Sequence, residues 1–383
     1  MAHSIAFKLK ILLLPAFLVL AFSQLERSSQ SEDSFSVRLP AGIPREVWSY
    51  YVPKDNPVTA AKVELGRQLF FDTRLSADST ISCATCHDPA LAFTDGKRVA
   101  TGINSRQGAR NSPTLFNAMF NSGQFWDGRA DTLEAQAIQP LINQDEMGNE
   151  SFEAVVRRLE AIPEYAKQFK EVFGSRVTIE LVGKAIASFE RTLVSGDSPF
   201  DRFVAGDRTA MTDAAQRGLF LFRTKGRCAI CHTFNAAFPF FTDQNYRNTG
   251  VAANSKAFGT LAREALKDLQ DGSKRADLSW FAKQGGGAEL GRFLITGNSL
   301  DIGSFRTPSL RDVELTAPYF HDGSATTLAD VLKFYTRGGN ENPMRDWELQ
   351  PLDLDDRERQ DIIEFLKSLT SDHARQSNRT IKP

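Results

Sequence analysis

Apolar residues return at helical period in several stretches of this chain. After Thr178, the residues Leu181, Ala185, Phe189 and Leu193 form one stripe with Val182 and Ile186 beside it, the spacing of an amphipathic helix that buries one face. The same periodicity predicts a helix from about Thr59 to Phe70 with Thr59 as its cap, and others near Thr212 to Phe222, Leu328 to Tyr335 and Asp355 to Leu369. In the last of these Ile362, Phe365, Leu366 and Leu369 face inward. No segment alternates apolar and polar residues as a half-buried strand does, so the pattern predicts an all-α protein.

The first apolar run is of another kind. Lys8 and Lys10 precede 12 residues from Ile11 to Phe22, with the small residues Ala21 and Ser23 at the end. That layout predicts a secretory signal over 1–23, too short to span a bilayer, and export to the periplasm. Residues 24–45 read as a linker, serine-rich and polar as far as residue 38. At 383 residues the chain exceeds one compact core. The run Ser195-Gly196-Asp197-Ser198-Pro199 breaks the helical pattern, which predicts domains over 46–203 and 204–373 and a polar tail over 374–383. A charged stretch from about Asn254 to Gly291, ending in Gly285-Gly286-Gly287, is expected to be a solvated helical excursion; a partner-docking surface is the other reading. The formal charge is -1, falling to -3 without Lys8 and Lys10, which leaves no basic surplus for a nucleic-acid partner.

Four cysteines in an exported chain would ordinarily suggest two disulfides. Here they form Cys83-Ala84-Thr85-Cys86-His87 and Cys228-Ala229-Ile230-Cys231-His232, the attachment pattern of a c-type haem. Two thiols add across the haem vinyl groups, and the adjoining histidine is held under the iron. Zinc is the main rival. A zinc ribbon separates its pairs by roughly 15 to 20 residues, whereas Cys83 and Cys228 lie 145 apart, and zinc requires no histidine directly after each pair. No βαβ pattern surrounds either pair, which disfavours a thioredoxin-like centre. Two covalently bound haems c are predicted, in two cytochrome c-like domains in tandem.

The halves repeat beyond these motifs. An offset of 195 carries Pro113 to Pro308, Trp126 to His321, Asp127 to Asp322 and Leu133 to Leu328. Where the halves differ, their haems are expected to differ in task. The same offset carries Pro140 to Tyr335. If this position faces the distal side of each iron, proline leaves one iron open and a tyrosine phenolate caps the other. A core tyrosine is the structural alternative, and Met344, in a nearby loop but outside the register, is a rival ligand. After the two proximal ligands the mature chain has only His321 and His373, so two bis-histidine haems are disfavoured.

The chain resembles the bacterial di-haem cytochrome c peroxidases and their MauG-like relatives over roughly residues 58 to 370. The motifs are Cys83-Ala84-Thr85-Cys86-His87-Asp88, Arg110-Asn111-Ser112-Pro113-Thr114, Phe125-Trp126-Asp127-Gly128-Arg129, Ala317-Pro318-Tyr319-Phe320-His321-Asp322-Gly323 and Phe334-Tyr335-Thr336-Arg337-Gly338-Gly339. The resemblance implies a peroxide site at the His87 haem, with Gln136 and Glu146 over the iron and Glu146 as acid/base. A surface glutamate is the plain reading of that position. It further implies that Trp126 stands between the haems as an electron relay, and that a calcium ion bridges the domains through the side-chain oxygen of Asn111 and the carbonyls of Thr316 and Pro318.

Two departures bear on subclass. Many relatives carry a loop histidine just before the Arg-Asn-Ser-Pro stretch, while Thr101-Gly102-Ile103-Asn104-Ser105-Arg106-Gln107 has none, so the open haem should need no reductive activation. Tyr335 replaces the usual methionine ligand, as in MauG-like proteins. The expected function is reduction of hydrogen peroxide with electrons from a small redox protein, a cytochrome c or cupredoxin. The alternative is a MauG-like oxidation of tryptophan or tyrosine side chains in a partner protein. A non-catalytic electron-transfer cytochrome, both irons capped, is the reading from another class.

Overall fold

The computed structural model describes residues 36–270 and 277–380; the expected signal and the linker as far as residue 35 lie outside the described residues. Eight helices carry the argument: α1 (Ala60–Phe71), α2 (Leu133–Ile142), α3 (Ile179–Glu190), α4 (Asp213–Arg223), α5 (Phe258–Gln270), α6 (Leu328–Thr336), α7 (Asp356–Lys367) and α8 (Asp372–Thr380). The described strands, β1 (Tyr246–Arg247) and β2 (Phe305–Arg306), pair antiparallel with Tyr246 opposite Arg306. The protein is all-α in class.

Thr59 caps its helix as predicted, and Thr178 caps another. Thr59 accepts from the Lys62 amide and Thr178 from the Leu181 amide, each satisfying a backbone donor that the first turn leaves free. On α3, Val182, Ala185, Ile186 and Phe189 are buried. The stripe ends there, because the helix stops at Glu190 and leaves Leu193 outside it.

Each half packs an entry helix against a closing helix: α1 against α3, and α4 against α7. Both contacts turn on a glycine. A β-carbon on Gly66 would lie 1.9 Å from the Ala185 carbonyl oxygen, and one on Gly218 would lie 1.9 Å from that of Asp361, so only glycine lets the backbones approach this closely. The helix after the first Asp-Gly pair, α2, joins α3, and its counterpart α6 joins α7. Leu69, Phe70, Leu141 and Ile186 centre the first core, and Phe222, Leu332, Ile362 and Phe365 the second. Each such side chain stabilises the fold by about 1.5–3 kcal/mol.

Three expectations are corrected. The 254–291 stretch is not a solvated excursion: α5 buries Phe258, Leu261, Ala262 and Ala265 in a third core with Phe281, Leu290 and Phe293. Its charges Arg263, Glu264, Lys267 and Asp268 occupy the opposite, exposed face; the stretch is helical as expected, but packed and not solvated. The end of the linker is packed too, with Val37 and Ile43 buried and the Asp197 amide donating to the Ala41 carbonyl at 2.7 Å. The tail carries α8, whose Ala374 is fully buried in the first core; His373 is exposed. The predicted break holds a short helix, Pro199–Val204, anchored by a buried pair in which both guanidinium ends of Arg311 meet the Asp201 carboxylate at 2.8 Å.

The repeats meet by exchanging hydrogen bonds. The Asn111 amide donates to the His321 carbonyl at 2.9 Å, and the Arg306 amide donates to the Trp126 carbonyl at 2.7 Å. Asn111 and Arg306 are 195 apart, as are Trp126 and His321, so the junction is a pseudo-two-fold one.

Candidate active site

Cys83–Cys86 form a single helical turn that Ser82 and Thr85 cap reciprocally, and the His87 amide closes it by donating to the Cys83 carbonyl at 2.9 Å. His232 closes on Cys228 in the same way, at 2.9 Å. The rings are then fixed from behind: His87 Nδ1 lies 3.1 Å from the Phe93 carbonyl and His232 Nδ1 2.9 Å from that of Phe241. The carbonyls of Pro113 and Pro308, equivalent in the repeat, also act on these rings. A carbonyl only accepts, so Nδ1 carries the hydrogen and Nε2 keeps its lone pair, the tautomer an iron ligand needs. Desolvation lowers the pKa of both imidazoles and keeps them neutral.

None of the four cysteines is paired in a disulfide. Burial pushes Cys83 and Cys228 up to about 12, and Cys86 and Cys231 up to about 11. Among the described residues no three His, Cys, Asp or Glu side chains converge to hold a metal ion.

A long apolar cavity begins at the second motif. Cys228, Cys231 and His232 line it together with Leu328, Leu332 and Tyr335 of α6. The residues present fit a flat, apolar porphyrin anchored by two thiols and one imidazole. The Tyr335 phenol is pushed well above the usual range by burial, then by the proximity of Cys231 and Cys228. Met344 instead packs against the third core.

Around the first motif, Glu146 is half-buried and lies close enough for both Cys83 and Cys86 to feel its charge. Desolvation raises its pKa, opposed by Arg129 and by a hydrogen bond from Asn143. Gln136 stands one turn before Pro140 on α2, the helix equivalent to the one that bears Tyr335. The histidine-free loop 101–107 clamps the Glu146 segment: the Ile103 amide donates to the Glu146 carbonyl at 2.9 Å, and Arg106 Nη1 to the Gln144 carbonyl at 2.9 Å. Gly102 makes this possible, since a β-carbon there would lie 2.2 Å from the Asp145 carbonyl oxygen.

Comparison with known proteins agrees with this geometry. Residues 60–209 match the family model described as di-haem cytochrome c peroxidase. The chain is 38% identical over 325 residues to the methylamine utilization protein MauG of Methylorubrum extorquens, covering 84% of this chain and 82% of the relative. It is 38% identical over 336 residues to the cytochrome-c peroxidase IdrP1 of Denitromonas iodatirespirans, covering 83% of this chain and 84% of that protein. The chain belongs to the di-haem cytochrome c peroxidase family. Among solved structures, a MauG-like protein associated with microbial copper homeostasis superposes with a TM-score of 0.71 at 30% identity, over 89% of this chain and 97% of that one.

As a di-haem peroxidase the protein is an oxidoreductase with haem cofactors, and the tandem cytochrome c-like fold follows from the same likeness. No helix among its described residues is long and apolar enough to cross a membrane. Trp126 lies where the halves of this peroxidase meet, lining the cavity with Asn111, Phe305 and His321, and its Nε1–H donates to the Asn111 carbonyl at 2.9 Å. The Asn111 side-chain amide donates to the Lys97 carbonyl at 2.9 Å, and Thr316 and Pro318 line the same cavity.

Sequence reasoning missed two carboxylates of this peroxidase. Glu190, at the end of α3, is buried with one oxygen unpartnered, and burial pushes it up to about 8. Glu289, in the stretch read as solvated, reaches both Arg110 and His321. A polar residue closing an apolar helical stripe was a signal for the first; nothing local pointed to the second.

Proposed function

We propose that this chain reduces hydrogen peroxide at a haem attached to Cys83, Cys86 and His87, with electrons passing through Trp126 from a second haem attached to Cys228, Cys231 and His232 and capped by Tyr335. The domains are those over 46–203 and 204–373. The observation that carries the reading is the contrast between equivalent helices: α2 presents Pro140, which has nothing to ligate with, while α6 presents Tyr335 to the cavity of its own motif. When bound, the haem supplies the iron that polarises peroxide and exchanges electrons with it.

The protein supplies the proton handling. Reducing one H2O2 to two waters consumes two electrons and two protons. Glu146, ionised, takes the proton from the inner oxygen and returns it to the leaving oxygen, and its half-buried position favours both transfers. Gln136 orients the bound peroxide, and the clamp from Gly102, Ile103 and Arg106 holds Glu146 in place. Asn111, Thr316 and Pro318 offer a hard-oxygen set suited to Ca2+, which would brace the junction beside Trp126. The enzyme works in the periplasm.

The electron source is a small redox protein such as a cytochrome c or cupredoxin. A second reading, oxidation of tryptophan or tyrosine side chains in a partner protein, is supported by Tyr335: phenolate ligation favours ferric and higher-valent iron and makes a poor acceptor for a conventional donor. Electron paramagnetic resonance of the resting ferric holoprotein tests the peroxidase reading. A high-spin signal that one equivalent of peroxide abolishes is expected; a wholly low-spin spectrum that peroxide leaves unchanged overturns it in favour of a carrier cytochrome.

A further inference from the structure

Glu289 ties together three parts of the molecule. Its Oε1 accepts from Arg110 Nη1 at 2.7 Å and its Oε2 lies 2.9 Å from His321 Nε2. The neighbouring Ala288 carbonyl accepts a second bond from Arg110. The third core therefore delivers a carboxylate to the junction of the two repeats.

What lies beyond His321 gives that carboxylate a use. The His321 ring is only 4% exposed, stacks on Phe305 with centroids 3.5 Å apart, and meets Trp126 edge to face at 6.5 Å. The Trp126 indole N–H is held by a backbone carbonyl, that of Asn111. A carbonyl cannot take up this proton, so an indole that gives up one electron keeps its N–H and becomes a cation. Trp126 is only half-buried, but the face it turns to the buried His321 has no water to screen that charge, so this neighbour must stabilise it. A neutral imidazole does so better when its own N–H points to a carboxylate, because the hydrogen bond raises the electron density of the ring. Arg110 offsets much of the Glu289 field through space, so the influence on Trp126 passes through the hydrogen bond to His321.

We propose that Glu289 is a positioning residue for electron transfer: by holding His321 in the tautomer that donates from Nε2, it sets an electron-rich ring against Trp126 and eases one-electron oxidation of the indole. This rests on the reading of Trp126 as the relay. One electron leaves the indole for the peroxide-oxidised site, no covalent bond breaks, the Nε1 proton stays in place, and one electron from the donor side restores the ring.

The test uses holoprotein treated with one equivalent of peroxide and freeze-quenched, with the tryptophan radical read by electron paramagnetic resonance. Glu289→Gln is expected to cut the radical population about tenfold, the effect of losing one charge-assisted hydrogen bond, while the loss of the high-spin signal on adding peroxide stays as in the parent. Glu289→Asp should restore most of the radical, which a merely structural role would not require. Trp126→Phe serves as the reference. If Trp126→Phe abolishes the radical and Glu289→Gln leaves it at the parent level, the role of Glu289 is overturned and the relay stands. If Trp126→Phe leaves the radical unchanged, the relay reading falls and the proposal with it.

Discussion

Trp126 and His321 are equivalent in the internal repeat, 195 residues apart, and their rings meet edge to face with centroids 6.5 Å apart. The two halves thus touch where their sequences differ in chemistry. His321 also receives Glu289 on its far side. Replacing His321 with leucine leaves that half-buried carboxylate with Arg110 alone, and should destabilise the protein by about 1 kcal/mol. The midpoint of urea unfolding measures this; an unchanged midpoint would mean that solvent already satisfies Glu289.

Glu146→Gln should slow the reaction with peroxide by roughly 10²–10⁴, the usual range for removing a general base, with the resting haem spectrum unaltered. The pH dependence has a definite sign. Glu146 must be ionised to take the first proton, and burial raises its pKa, so the rate should fall with acid at a pH above the ordinary carboxylate range. Stopped-flow mixing across pH 4 to 8 checks both. A variant as fast as the parent at every pH removes Glu146 from the chemistry.

Tyr335→Phe should change the low-spin component assigned to the second haem and leave the peroxide-sensitive signal in place, whereas Met344→Leu, acting on a residue packed against the third core, should change neither. The reverse pattern would move the ligand to Met344.

Glu190 links stability to pH. Its pKa rises with folding, up to about 8 in the native protein, so the fold prefers it protonated. The stability it contributes is fully present below its unfolded pKa and is lost as pH rises through about 8. Unfolding free energy should therefore decline by a few kcal/mol between pH 5 and pH 8. Glu190→Gln should flatten that decline, as denaturant melts at the two pH values will show; equal slopes in both proteins would assign the decline elsewhere.

Much of this was legible from residue spacing. A cap such as Thr59 and stripes such as that on α3 are local signals, and the haem motifs are contiguous. The 254–291 stretch was misread because α5 carries charges on one face and apolar residues on the other, and only the period separates a solvated helix from a packed one. The Glu289 contacts lay beyond reach for a different reason: Arg110 and Glu289 are 179 positions apart, and no local pattern records such a pairing. The tail was read as polar, yet the buried Ala374 and the ion pair of Arg375 with Glu314 seat α8.

The crossed amide bonds, Asn111 to His321 and Arg306 to Trp126, are those that two identical subunits would form about a two-fold axis. Here two copies of one unit meet through this surface within a single chain. Fusing the copies into one polypeptide then frees each side of the contact to change independently, which no true homodimer can do, and the unequal division of labour between the metal centres is a consequence of that freedom.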